Sequence, residues 1–263
     1  MARVLSALVL LPAVIAAVWF LPPIATLVLA EAAAILALLE YAGIARALGA
    51  QVPRTVTAAA VAAACAAVAL PSFSVDLVLV LMTAVVTIGS LAVASGQPGP
   101  AILRDTAASL FPIVYIGLPL GAIAAVRAEG GREAVLLLVL TIVVSDSAQY
   151  YTGRAFGRVP LAPSISPKKT REGAVGGVIF GTAAMALGGL RVFPAAHPAM
   201  LIVCAATVVF LGIVGDLFES LLKRSAGVKD SSALIPGHGG ILDRIDSWLF
   251  AGPLYYAFVR YLS

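Results

Sequence analysis

Apolar residues run along this chain in blocks of about twenty, broken by short stretches rich in proline, glycine or charge. A helix of that length crosses a bilayer core, because only a helix satisfies its own backbone polar groups there. Nine such helices are expected, over about 4–20, 24–45, 55–71, 75–95, 103–126, 132–152, 173–190, 198–222 and 242–262. Pro22-Pro23, Pro53, Pro71, the stretch from Gly96 to Pro100, Gly130-Gly131 and Phe193-Pro194 fall in the gaps, where helix breakers belong. The pattern predicts an all-α polytopic membrane protein. Its single integral membrane domain covers 1–263, with N-terminal spans over about 1–130 and a more polar half over about 131–263.

Composition sharpens this picture. The chain is 61% hydrophobic and only 11% charged, against roughly 25% charged residues in soluble domains. A formal charge of +4 fits a cytoplasmic-leaflet bias and no nucleic-acid partner. Cys65 and Cys204 each sit inside an apolar run and are expected as core residues. Arg3 ahead of the first apolar run has the charge pattern of a secretory leader, but no small-residue cleavage site precedes the next run, so an uncleaved first span is expected. With the N-terminus inside, 13 of the 17 Lys and Arg residues fall on the cytoplasmic side. Arg127, Arg132, Arg191 and Arg260 fall outside.

Polar chemistry concentrates in two places. From Ser220 to Asp246 the chain reads SLLKRSAGVKDSSALIPGHGGILDRID. Its glycines around His238 let backbone approach a ligand, its cations suit phosphate and its carboxylates suit a metal. Before it, Asp216, Glu219, Ser220 and Lys223 share one stripe of the eighth span, at offsets of 3, 4 and 7. Charged groups placed there face a bundle interior or a watery cavity. The second place is Ser145 to Gly177. Asp146, Tyr150 and Arg154 lie near the end of the sixth span, and Ser166-Pro167-Lys168-Lys169-Thr170 leads into a helix start suited to an anion. Glu31 is a further intramembrane acid whose partner the sequence leaves open, and Glu40, half a turn out of phase, is expected at the interface. His197 is assigned no role.

Ser220, Lys223-Arg224, Lys229-Asp230, Pro236, His238-Gly239-Gly240, Asp243-Arg244 and Asp246 stand at the spacing of the signature of the phosphatidate cytidylyltransferases, a family the chain resembles closely. The same family is similar in its aspartate–tyrosine–glycine–arginine stretch followed by Ser-Pro-Lys-Lys-Thr-x-Glu-Gly, although Arg171 here stands where relatives commonly carry a large apolar or aromatic residue. The resemblance implies transfer of a cytidylyl group from CTP to phosphatidate, giving CDP-diacylglycerol and pyrophosphate at the inner face of a cytoplasmic membrane. It also implies a magnesium requirement, a second cation such as K+, and a homodimer. Asp243 and Asp246, with Asp216, are the expected metal ligands. Lys223 and His238 join the two aspartates as catalytic candidates, His238 as a donor to phosphate. Ser220, Arg224, Lys229, Asp230, Gly239, Gly240, Arg244, Asp146, Tyr150, Arg154, Ser166, Lys168 and Lys169 are expected to bind substrate. Two rivals are a CTP-dependent polyprenol- or phytol-type lipid kinase and, from another class, a transporter. The chain has neither the Asp-Gly-x2-Ala-Arg core of the CDP-alcohol phosphotransferases nor an internal hydropathy repeat.

Overall fold

The computed structural model describes residues 12–70, 76–96, 98–235 and 239–261. Nearly all of this is helix. Among the described residues six helices are long and apolar enough to cross a membrane, and the chain divides into two compact units.

The first unit comprises Met1–Ala125 and Leu222–Arg244. Residues 12–20 are helical, while the start of the expected first span lies outside the described residues. Helix α1 (Pro23–Ala47) begins with proline in its first turn, where a missing N–H costs nothing. It ends at Gly49, whose φ of 83° turns the chain away. Helix α2 (Arg54–Ala69) follows Pro53, and α3 (Leu77–Ala94) is capped by the Asp76 carboxylate, which accepts from Val78 N–H at 2.7 Å. Val78, Leu79, Met82, Val85 and Val86 of α3 point outward, as a lipid-facing surface requires. Helix α4 (Ala101–Pro112) runs through a widened π segment (Ile113–Gly117) into α5 (Leu118–Glu129). The widening begins at Pro112, which cannot supply the regular i−4 bond. Together these three pieces make one apolar rod, the expected fifth span.

The second unit comprises Val126–Leu221 and Ile245–Ser263. Helix α6 (Gly131–Phe156) and helix α7 (Arg171–Val192) lie in very close contact. A Cβ at Gly173 would come within 2.7 Å of the Gln149 carbonyl, and one at Gly181 within 3.0 Å of Ser145 Cβ. A small antiparallel hairpin joins the two helices. Its strands are β1 (Pro160–Ala162) and β2 (Ser166–Thr170), with Pro160 opposite Thr170 and Ala162 opposite Ser166. Helix α8 (Pro198–Ser225) and helix α9 (Leu242–Tyr261) complete the fold. Tyr255 of α9 is fully buried, donates to the Ala134 carbonyl at 2.9 Å and packs with Phe193 and Phe258. Cys65 and Cys204 are buried free thiols, as expected.

Candidate active site

Each unit holds one cluster of polar side chains drawn from the two motif stretches. In the second unit, α6, β2, the start of α7 and α8 line a cavity of about 470 Å³. Its wall includes Asp146, Tyr150 and Arg154 from α6, Lys168 and Lys169 from the hairpin, and Asp216 from α8. Lys169 forms an ion pair with Asp216, and Gln149 donates to Asp146 at 3.1 Å. The hairpin is held at this rim by local bonds. Thr170 caps α7 by accepting from Gly173 N–H at 3.1 Å. Glu172 accepts from Arg158 N–H at 3.1 Å and Val159 N–H at 3.3 Å. Gln149 is the i+3 neighbour of Asp146 that helical spacing predicts, and Thr170 ahead of the acidic Glu172 is the sequence signal of the capped helix start.

Acids gather in the same unit. Asp246 of α9 lies within electrostatic reach of Asp216, Glu219 and Asp146. Helices α8 and α9 come close because residue 215 is glycine; a Cβ there would meet the Asp246 carbonyl at 2.6 Å. Glu219 is buried. Among the described residues no group of three or more His, Cys, Asp and Glu side chains forms a ready-made metal cage. The excess of negative charge around Asp246 nevertheless fits a cation whose other ligands are water and phosphate oxygens.

In the first unit the signature stretch folds back on itself. Helix α8 stops in a Schellman turn, with Val228 N–H bonding Lys223 O at 3.0 Å, Gly227 N–H bonding Arg224 O at 3.0 Å, and Gly227 at φ 72°. Arg224 also donates to the Val228 carbonyl at 3.0 Å. Lys223, buried, makes an ion pair with Asp243 Oδ1. Asp243 Oδ2 accepts from Ser231 N–H at 2.9 Å, Ser231 Oγ at 2.7 Å and Gly240 N–H at 2.7 Å. The Gly240 amide, expected to serve a ligand, is therefore committed to Asp243. Gly239 takes φ 78°, and its carbonyl accepts from Ile235 N–H at 2.8 Å.

Glu40 is only 8% exposed and is bonded to this stretch. Lys229, Asp230 and Arg244 are exposed, Ser220 is half-buried on α8, and Ser166 opens β2. His238 and Pro236 lie outside the described residues. Glu31 meets the Cys65 thiol, the neighbouring-helix partner that the sequence left open.

The chain is similar to several named proteins. It is 47% identical over 133 residues to a protein named phosphatidate cytidylyltransferase 5, chloroplastic, of Arabidopsis thaliana, covering 49% of this chain and 32% of that one. It is 34% identical over 155 residues to a phosphatidate cytidylyltransferase of Helicobacter pylori, covering 59% and 58%. With the phosphatidate cytidylyltransferase of Thermotoga maritima it shares 35% over 167 residues, 62% of each chain. The chain thus spans between about a third and three-fifths of the length of these relatives. A family model matches residues 1–262, so the chain belongs to the cytidylyltransferase family.

Proposed function

We propose that the protein transfers a cytidylyl group from CTP to phosphatidate, yielding CDP-diacylglycerol and pyrophosphate. The observation that carries this reading is the cavity where Lys168, Lys169 and Arg154 stand beside Asp146 and Asp216, in a chain of this family. A phosphate oxygen of phosphatidate attacks the α-phosphorus of CTP. The new P–O bond forms as the bond to the bridging β-phosphate oxygen breaks, and pyrophosphate leaves with that electron pair. The nucleophile is already an anion, so no strong base is needed. Bringing two anions together is the barrier, and positioning with charge neutralisation lowers it.

Lys168 and Lys169 act as point charges for phosphate oxygens, while Arg154 can grip them in a fork. Arg224, Lys229 and Arg244 supply further cations, and Ser220 and His238 supply donors. Lys223 holds Asp243, and Asp243 orders the segment before it. We assign Asp216 and Asp246 to a magnesium ion, since two carboxylates with phosphate oxygens and water suit its octahedral shell. Bound there, the ion would offset triphosphate charge and polarise the phosphate oxygens. A second cation such as K+ and a homodimer extend the proposal.

The membrane arrangement belongs to the same reading. The expected first span over about 4–20, of which residues 12–20 are described as helix, crosses the bilayer together with α2, α9 and the six long helices, giving nine spans. The N-terminus and the polar clusters face the cytoplasm, from which CTP arrives, and phosphatidate enters sideways with its acyl chains in lipid. The placement of 13 of 17 basic residues supports this orientation.

The test is purified protein in detergent with CTP labelled at the α-phosphate, phosphatidate and magnesium. CDP-diacylglycerol and pyrophosphate in equal amounts are expected. Phosphate passing from the γ-position to a polyprenol or phytol, or no turnover at all, overturns the reading.

A further inference from the structure

Glu40 takes no part in the chemistry just described, yet its carboxylate is fully engaged with the segment that leads into α9. Its Oε1 accepts from Ser232 Oγ at 2.7 Å and Ile241 N–H at 3.0 Å, and its Oε2 from Ser231 Oγ at 2.9 Å and Leu242 N–H at 2.8 Å. Each oxygen thus serves one hydroxyl and one backbone amide. Those amides are orphan donors at the start of α9. A nearby side chain ordinarily caps such donors, whereas here the cap reaches back from a helix some 200 residues earlier in sequence. Residue 240 has to be glycine for this approach, because a Cβ there would collide with Ser231 Oγ and Glu40 Oε2. The next link is Asp243, whose Oδ2 takes the Gly240 amide and shares the single Ser231 hydroxyl proton with Glu40 Oε2.

We propose that Glu40 is a positioning residue, one that docks Ser231, Ser232, Ile241 and Leu242 and so holds Asp243 and the start of α9 in the register turnover requires. The proposal rests on the functional reading above. It also gives part of the N-terminal spans a specific task, the support of the signature stretch.

Two variants grade the effect. In Glu40→Gln one oxygen becomes an amide nitrogen; serine hydroxyls can turn to accept from it, but a backbone N–H cannot, so one amide loses its acceptor. In Glu40→Ala both amides lose theirs. Turnover of CTP and phosphatidate is expected to fall about tenfold in Glu40→Gln and about a hundredfold in Glu40→Ala, one factor of ten for each charge-assisted bond removed. Ser232→Ala should cost less in the Glu40→Ala background than in the parent, since the Ser232–Glu40 bond is already gone and only the bond from Leu234 N–H to Ser232 Oγ at 3.2 Å remains to be lost.

Amide hydrogen exchange in protein free of substrate and metal supplies a readout independent of activity. Exchange at Ile241 and Leu242 should rise at least about tenfold in Glu40→Ala, with α6 and α7 unchanged. Exchange that rises equally in both units would mean a support of the whole fold and overturn the proposal. So would unaltered exchange, or turnover within twofold of the parent. A parent protein inert towards CTP and phosphatidate sinks the functional reading instead, and the exchange measurement then decides the docking by itself.

Discussion

Two alanine substitutions in α7, chemically identical and fifteen residues apart, should have different outcomes. At Gly173 a new Cβ would lie 2.7 Å from the Gln149 carbonyl and 3.2 Å from Gly153 Cα. Both are backbone atoms of α6, so the only relief is to separate the helices by about 0.5–1 Å, which forfeits a quarter to a half of the dispersion attraction across the seam. Overpacking of this kind costs about 1–3 kcal/mol, and the gain in helix propensity returns up to about 1 kcal/mol. The net loss is therefore about 1–2 kcal/mol. At Gly188 the nearest atom is the Cδ1 of Leu137, the far end of a side chain. A rotamer change there accommodates the methyl group, and the same propensity gain leaves Gly188→Ala near neutral. The difference corresponds to about 2–8 °C in thermal midpoint for a chain of this size, read by a thermal scan in detergent. Gly173→Ala should also lower turnover, because Gly173 lines the cavity beside Lys169 and Thr170. Equal midpoints, or Gly188→Ala as the weaker protein, would refute the idea that backbone contact between α6 and α7 sets this seam.

Other consequences are equally direct. Thr170→Ala removes the cap on Gly173 N–H and is expected to cost about 1 kcal/mol, whereas Thr170→Ser should keep the parent midpoint; equal loss in both would discount the cap. Lys169→Met leaves Asp216 without its cation and removes a phosphate partner. The apparent KM for CTP should rise about 10- to 100-fold, as the loss of one charge-assisted bond implies, and an unchanged KM would remove Lys169 from the binding set. Asp246→Asn takes one like charge from among Asp146, Asp216 and Glu219. In EDTA its thermal midpoint should rise while turnover is lost, and added magnesium should stabilise the parent but not the variant. A destabilised variant, or one that keeps its activity, contradicts the assignment.

Much of this was legible in one dimension. Blocks of apolar residues with proline and glycine between them specify membrane-crossing helices, because a backbone in hydrocarbon has no other way to satisfy its polar groups. The spacing of Lys223, Lys229, His238, Asp243 and Asp246 carried the family by itself. What a linear pattern cannot express is which side chain meets which across a long loop. Lys169 with Asp216, and Glu40 with Ser231, Ser232, Ile241 and Leu242, are partners separated by 47 and by about 191 to 202 positions. Glycine carried the same ambiguity. Read along the chain, Gly239 and Gly240 suggested room for a ligand, while the fold fills the space at Gly240 with the protein's own Glu40 and Ser231. Local propensity and hydropathy act through neighbours in sequence, so they could be read directly. The task of each buried acid depended on contacts that exist only once distant helices have packed.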